Sequence, residues 1–170
     1  MYRYAKPDTI VVSQIVNVDK NGSLDFNNSI NNQIVEASKK GEPNLLSLNM
    51  VATINACKLT PTRFIKKVRY IEHLRSGEDI VFFVELFVEN QFKFTVIPIN
   101  NQAIYYRVMR DSSVSRQAMT YDFFVIQRLD VIERLNQLLD KYDNQQSQVL
   151  IKQKINAQTS FINKYLSINR

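Results

Sequence analysis

Two side chains of the kinds that most often act as a general base or a nucleophile near neutral pH occur once each in this sequence, His73 and Cys57. His73 stands among Lys66, Tyr70 and Glu72, with no cysteine or second histidine at metal-ligand spacing. The expectation for it is a surface or partner-contact histidine, with no metal and no zinc site of the usual kind. Cys57 precedes Lys58 at the expected end of a helix, a place where a thiol pKa can fall far enough for nucleophilic work. No candidate base is adjacent to it in the chain, so the expected role is a buried structural thiol unless the fold brings His73 to it. Phosphate-cradling loops need glycines close together, and Gly22, Gly41 and Gly77 are the only ones. No group among the sixteen acids is dense enough for a two-metal site. The chemistry therefore points to a protein that is not an enzyme, with no cofactor and no evident small-molecule substrate; hydrolysis by carboxylates alone is the residual catalytic route.

Charge is the stronger signal. The chain carries a formal net charge of +6, and its pI of about 9.4 favours polyanionic partners. Between residues 58 and 75 stand six cations, Lys58, Arg63, Lys66, Lys67, Arg69 and Arg75, against one acid, Glu72. Nearly the whole excess sits in one segment.

The elements that must position this segment can be read on either side of it. Thr9 to Val18 is β-branched and is followed by Asn21-Gly22 and by Ser23-Leu24-Asp25-Phe26, the pattern of a β-hairpin. Asn28 to Lys40 reads as a helix stopped by Gly41 and Pro43, and a second helix is expected from about Leu45 to Ala56. Thr60 can cap a third helix, with Pro61 in its first position, running to about Arg75. On it Phe64, Ile65, Val68, Ile71 and Leu74 form an inner face and Arg63, Lys66, Lys67 and Tyr70 an outer one. Ile80 to Val88 is nearly continuous apolar sequence and reads as a central strand. With Gln91 to Ile99 and Gln102 to Met109 it would make an antiparallel three-stranded meander, one strand of which ends near Pro98 or lies at an edge. From Met119 to Arg170 there is no proline or glycine, and Val125, Leu129, Ile132, Leu135, Leu139 and Tyr142 make an apolar stripe. That stretch is one long helix or a helical hairpin broken near Asp143 to Gln148. The expected class is α+β: an N-terminal β-hairpin, three short helices, the meander and the C-terminal helical part. Residues 1–118 form the core domain and residues 119–170 a helical segment for packing or oligomerisation.

The run from Val51 to Ile80, with its helix, Leu59-Thr60-Pro61 turn, basic helix, glycine and strand, resembles a helix-turn-helix with a β-wing in outline. The Ala52-to-Leu59 interval is about two residues longer than the usual turn and contains no glycine. That resemblance implies that Thr62, Arg63, Lys66, Lys67, Arg69 and Tyr70 face nucleic acid, DNA or RNA, with DNA the first choice. Arg63 could reach a guanine edge or a phosphate, while Lys66, Lys67 and Arg69 would neutralise phosphates. The same composition fits a solvated outer face on a helix covering a sheet. Phe92, Phe94, Tyr105 and Tyr106, with Lys93 and Arg107 nearby, have the makeup of a single-strand stacking platform, or of a sheet core. A second reading is a structural or assembly protein that binds protein partners through its sheet and its C-terminal helices, the latter also making a homo-oligomer.

Seventeen asparagines and no tryptophan suit an A+T-rich coding sequence, as in many phages, large DNA viruses and A+T-rich bacteria. A lone cysteine fits a reducing compartment. The first apolar run, Ile10 to Val12, is too short for a signal-peptide core or a membrane span. The expected location is the cytoplasm, or a host nucleus for a viral protein, with no membrane partner.

Overall fold

The computed structural model describes residues 1–109 and 119–169, so the domain boundary expected at residue 118 lies outside the described residues. The chain is α+β, and its first long extended stretch organises the sheets. That stretch breaks at Ser13 into β1 (Thr9–Val12) and β2 (Gln14–Val18). At the break, Ser13 N–H and its hydroxyl both donate to the carbonyl of Cys57. Each half becomes the centre of its own three-stranded sheet. One has the order β4-β1-β5, with β4 at Lys58–Leu59 and β5 at Lys93–Val96; the other is β3-β2-β6, with β3 at Leu24–Asp25 and β6 at Ile104–Val108. Ile10, Val11, Val12, Ile15 and Val16 are all fully buried, as a β-branched run with no polar alternation requires.

The hairpin is present. Val18 pairs with Leu24, and Asn17 with Asp25. Asp19 shapes the turn by accepting the N–H groups of Asn21 and Ser23, and of the Asn21-Gly22 pair only Gly22 takes a positive φ, +81°. α1 (Ser29–Lys39) begins where Asn28 caps it by accepting the Asn31 N–H at 3.0 Å. The side chains of Asn28 and Asn31 then reach β2, one donating to the carbonyl of Ile15 and the other accepting its N–H. A capping motif thus doubles as the joint between helix and sheet. Gly41 follows the helix with φ +79°, a conformation that stops it at low steric cost.

Three expected elements differ. The second helix is confined to α2, Asn49–Ala52. The third, expected from Pro61 to Arg75, is a single turn, α3 (Thr62–Ile65). Phe64, of the expected inner face, packs edge-on against Phe92, while Tyr70, expected on the outer face, stacks on Phe82. β-branched Ile65, Val68 and Ile71 lower the helical preference of the stretch, and one turn alone does not propagate.

The third difference is the meander. Residues 80–88 lie in a helix, α4 (Glu78–Glu89), buried on most sides through Val81, Phe82, Phe83, Val84, Leu86 and Phe87. A short apolar run cannot be assigned to strand or helix by periodicity alone. Length and flanks decide here, because Glu78 and Asp79 occupy the first turn, where acids favour the helix dipole, and Glu78, Glu85 and Glu89 mark one polar stripe. Without that strand, β5 and β6 do not pair with each other. Each instead joins the N-terminal stretch in parallel, Ile10 opposite Phe94 and Val16 opposite Tyr106.

The C-terminal part is a helical hairpin. A π-helical turn at Asp122–Ile126 leads into α5 (Gln127–Lys141), and α6 (Gln145–Ile168) starts at Asn144, which caps it through the Ser147 N–H. The buried seam of α5 runs through Arg128, Val131, Leu135 and Leu138; of the expected stripe Leu135 is buried while Leu129 is exposed. On α6 the buried positions are Ser147, Leu150, Ile151, Lys154 and Gln158. Among the described residues, no helix is long and apolar enough to cross a membrane.

The chain separates into two compact units. One contains Met1–Lys67 with β5 and β6; the other contains Val68–Glu89 with α5 and α6. Residues 78–89 thus group with the C-terminal helices and not with the sheets.

Candidate functional site

The six residues proposed from the sequence, Thr62, Arg63, Lys66, Lys67, Arg69 and Tyr70, are all exposed. The fold divides them. Thr62, Arg63, Lys66 and Lys67 belong to the sheet-containing unit, whereas Arg69 and Tyr70 belong to the helical one.

In the first group the support is a turn, not a recognition helix. Pro61 has an extended backbone, its carbonyl accepts the Phe64 N–H, and the Thr62 carbonyl accepts the Lys66 N–H. The turn follows β4, which is fixed by pairing of Leu59 with Val11 on the buried strand β1. At its centre Phe64 meets Phe92 with ring centroids 4.7 Å apart and planes at 74°, an edge-to-face pair of ordinary geometry. Above the Phe64 ring lie the Arg63 guanidinium, 4.5 Å from the centroid, and the Lys67 ammonium at 5.8 Å. One anchored ring therefore carries two cations outward. Neither Arg63 nor Lys67 makes an ion pair among the described residues. Phe92 was grouped in the sequence with the strand aromatics; its contact with Phe64 crosses 28 positions, and no local spacing could have announced it.

In the helical unit, Tyr70 stacks on Phe82 at 4.3 Å and 7° between planes, so one ring face is occupied by the protein itself. Arg69 is exposed and donates to the carbonyl of Val68. Arg75 pairs with Asp122 at 2.6 Å.

The strand aromatics do not form one platform. Phe94 is buried against the core, whereas Tyr105 and Tyr106 on β6 are exposed. Arg107 is tied to Asn17 by two hydrogen bonds to its Oδ1.

Cys57 does not gain the surroundings a nucleophile needs. Cys57 is buried, and burial pushes its thiol up to about 11 despite the opposing fields of Lys58 and Arg107. A thiol so protonated is a poor nucleophile at neutral pH. His73 is exposed, and among the described residues no cluster of three His, Cys, Asp or Glu side chains could hold a metal.

Comparison with protein-family models, with curated proteins and with solved structures finds no match for this chain.

Proposed function

We propose that this chain is a non-enzymatic nucleic-acid-binding protein whose contact element is the basic turn Thr62–Lys67. The observation that carries this reading is the pair Arg63 and Lys67, exposed, held over one anchored ring and free of acidic partners among the described residues. Lys66 adds a third exposed cation. A single helical turn is too short to lie in a major groove and read base edges, so the reading shifts from sequence recognition towards contact with phosphates, which DNA and RNA share. Cations that displace condensed counterions should give binding that weakens steeply with salt. Fluorescence polarisation with duplex and single-stranded oligonucleotides over a salt series tests this, using the wild type and the double variant Arg63→Ala with Lys67→Ala. Binding that ignores salt, or that the double variant leaves unchanged, rules the proposal out.

A second reading, self-association through the C-terminal helices, is favoured by the exposed apolar side chains Leu129, Phe161, Leu166 and Ile168. Light scattering across a concentration series decides it, and a strict monomer would exclude it.

A further inference from the structure

We propose that the helical unit holds a binding site for a small organic anion, a carboxylate or phosphate monoester on a flat apolar group, in the cavity beside Arg128. The cavity has a volume of about 420 Å³ and is walled by the rings of Phe123, Phe124 and Phe161. That size accommodates a compact ligand and lies within the usual range for such sites.

Arg128 is the reason for choosing an anion. It is 5% exposed, yet no carboxylate lies within ion-pair distance of it among the described residues. Its guanidinium is held instead by neutral acceptors: Nε donates to the carbonyl of Phe123 at 3.1 Å, Nη1 to Gln158 Oε1 at 3.1 Å, and Nη2 to the hydroxyl of Ser76. Phe123 and Phe161 lie 4.6 and 5.3 Å from it, ring centroid to Cζ. A guanidinium has five N–H donors, so one on each terminal nitrogen is left for a further acceptor such as an oxyanion. Burying a cation without a contact counter-ion is costly, and here the cost is met with a geometry fixed on every side. The π-helical turn at Asp122–Ile126 supplies the Phe123 carbonyl, and such turns recur at binding sites.

Acids also border the cavity. Glu78 and Asp79 occupy the first turn of α4, and Asp79 accepts the Ile80 N–H at 2.8 Å. Their fields hold the Arg128 guanidinium charged against burial, from beyond ion-pair distance. Asp79 acts in the same way on Lys154. At the rim, Arg75 pairs with Asp122, whose other oxygen accepts from Gln127. Arg128 is the cavity-wall cation that makes no ion pair among the described residues, Glu78 and Asp79 opposing its charge only from a distance.

The test uses benzoate and phenyl phosphate as probes, with benzyl alcohol as the uncharged control, read by calorimetry and by the Arg128 Nε–H resonance. Expected are saturable binding of one or both anions, a shift of that resonance, and no comparable binding of benzyl alcohol. Arg128→Met should weaken the anions by about tenfold or more, the effect of losing a charged hydrogen bond. If that variant fails to fold, Phe161→Ala, which alters a half-exposed wall, should weaken the same probes. Arg63→Ala with Lys67→Ala should leave them unaffected, which separates this site from the basic turn. Failure of both anions to bind, or benzyl alcohol binding equally well, overturns the proposal and leaves Arg128 a structural group.

Discussion

In the turn after Pro61, Arg63 and Lys67 stand in water over a single phenylalanine ring, with no acid beside them among the described residues. In the seam between α5 and α6, Arg128 and Lys154 occupy positions where the pattern of neighbours would admit leucine, and both are less than a tenth exposed. The same residue types thus operate in two regimes. Outside, solvation is nearly complete, the charges contribute little to folding, and their field is available to a partner. Inside, desolvation dominates, and specific neighbours hold the guanidinium of Arg128 in place. Removing a cation should therefore alter binding without altering stability in the first region and alter stability in the second.

The largest expected effect breaks the inner region. Gly77 has φ +76°, and a Cβ added there would come within 2.8 Å of a Val131 methyl carbon. Gly77→Ala combines left-handed backbone strain with overpacking and should destabilise the protein by about 2–4 kcal/mol. Chemical denaturation measures it, and a neutral result would show that the loop bearing Ser76 is not held against α5.

Next is the dependence on pH. Burial pushes the Lys154 ammonium down to about 8 from its usual 10.5, with the field of Asp79 opposing. Between those values the unfolded chain retains a proton that the folded chain has released. Stability from this group therefore rises with pH across the window, at most by about 1.4 kcal/mol per pH unit, and its penalty is full below pH 8. Lys154→Met should flatten that rise in denaturation midpoints measured over the same window. A wild type and variant with parallel pH profiles would contradict the assignment.

The smallest expected effect is on the stability of the outer region. Arg63→Ala with Lys67→Ala should move the unfolding free energy by no more than about 0.5 kcal/mol, as for exposed substitutions generally. A larger loss would mean that the two cations hold the turn itself and do not merely project from it.

Much of the frame was legible in the chain. The β-branched stretch, the Asn21-Gly22 turn and α1 each follow from local chemistry, which leaves open whether the stretch after Met119 is one helix or two. What escaped depends on tertiary choice. Residues 80–88 are apolar enough to be a strand, and only the Glu78, Glu85 and Glu89 spacing tells of a helix. The helix expected from Pro61 to Arg75 stops after one turn, and its rings find separate partners, Phe92 for Phe64 and Phe82 for Tyr70. Exposure of Arg63, Lys66 and Lys67 followed from their charge, whereas their support did not. Arg128 was invisible because a polar residue within a seam gives the same local signal as one on a surface, and the π-helical turn shifts the phase of α5 besides.

The central claim is that the outer cations act on phosphates. Its most direct measurement is the slope of log binding constant against log salt concentration for wild type and the Arg63→Ala, Lys67→Ala variant on one oligonucleotide. Two lost phosphate contacts should make the slope shallower by roughly 1.4 on a single strand and 1.8 on a duplex. Identical slopes, with equal affinities at low salt, would contradict it.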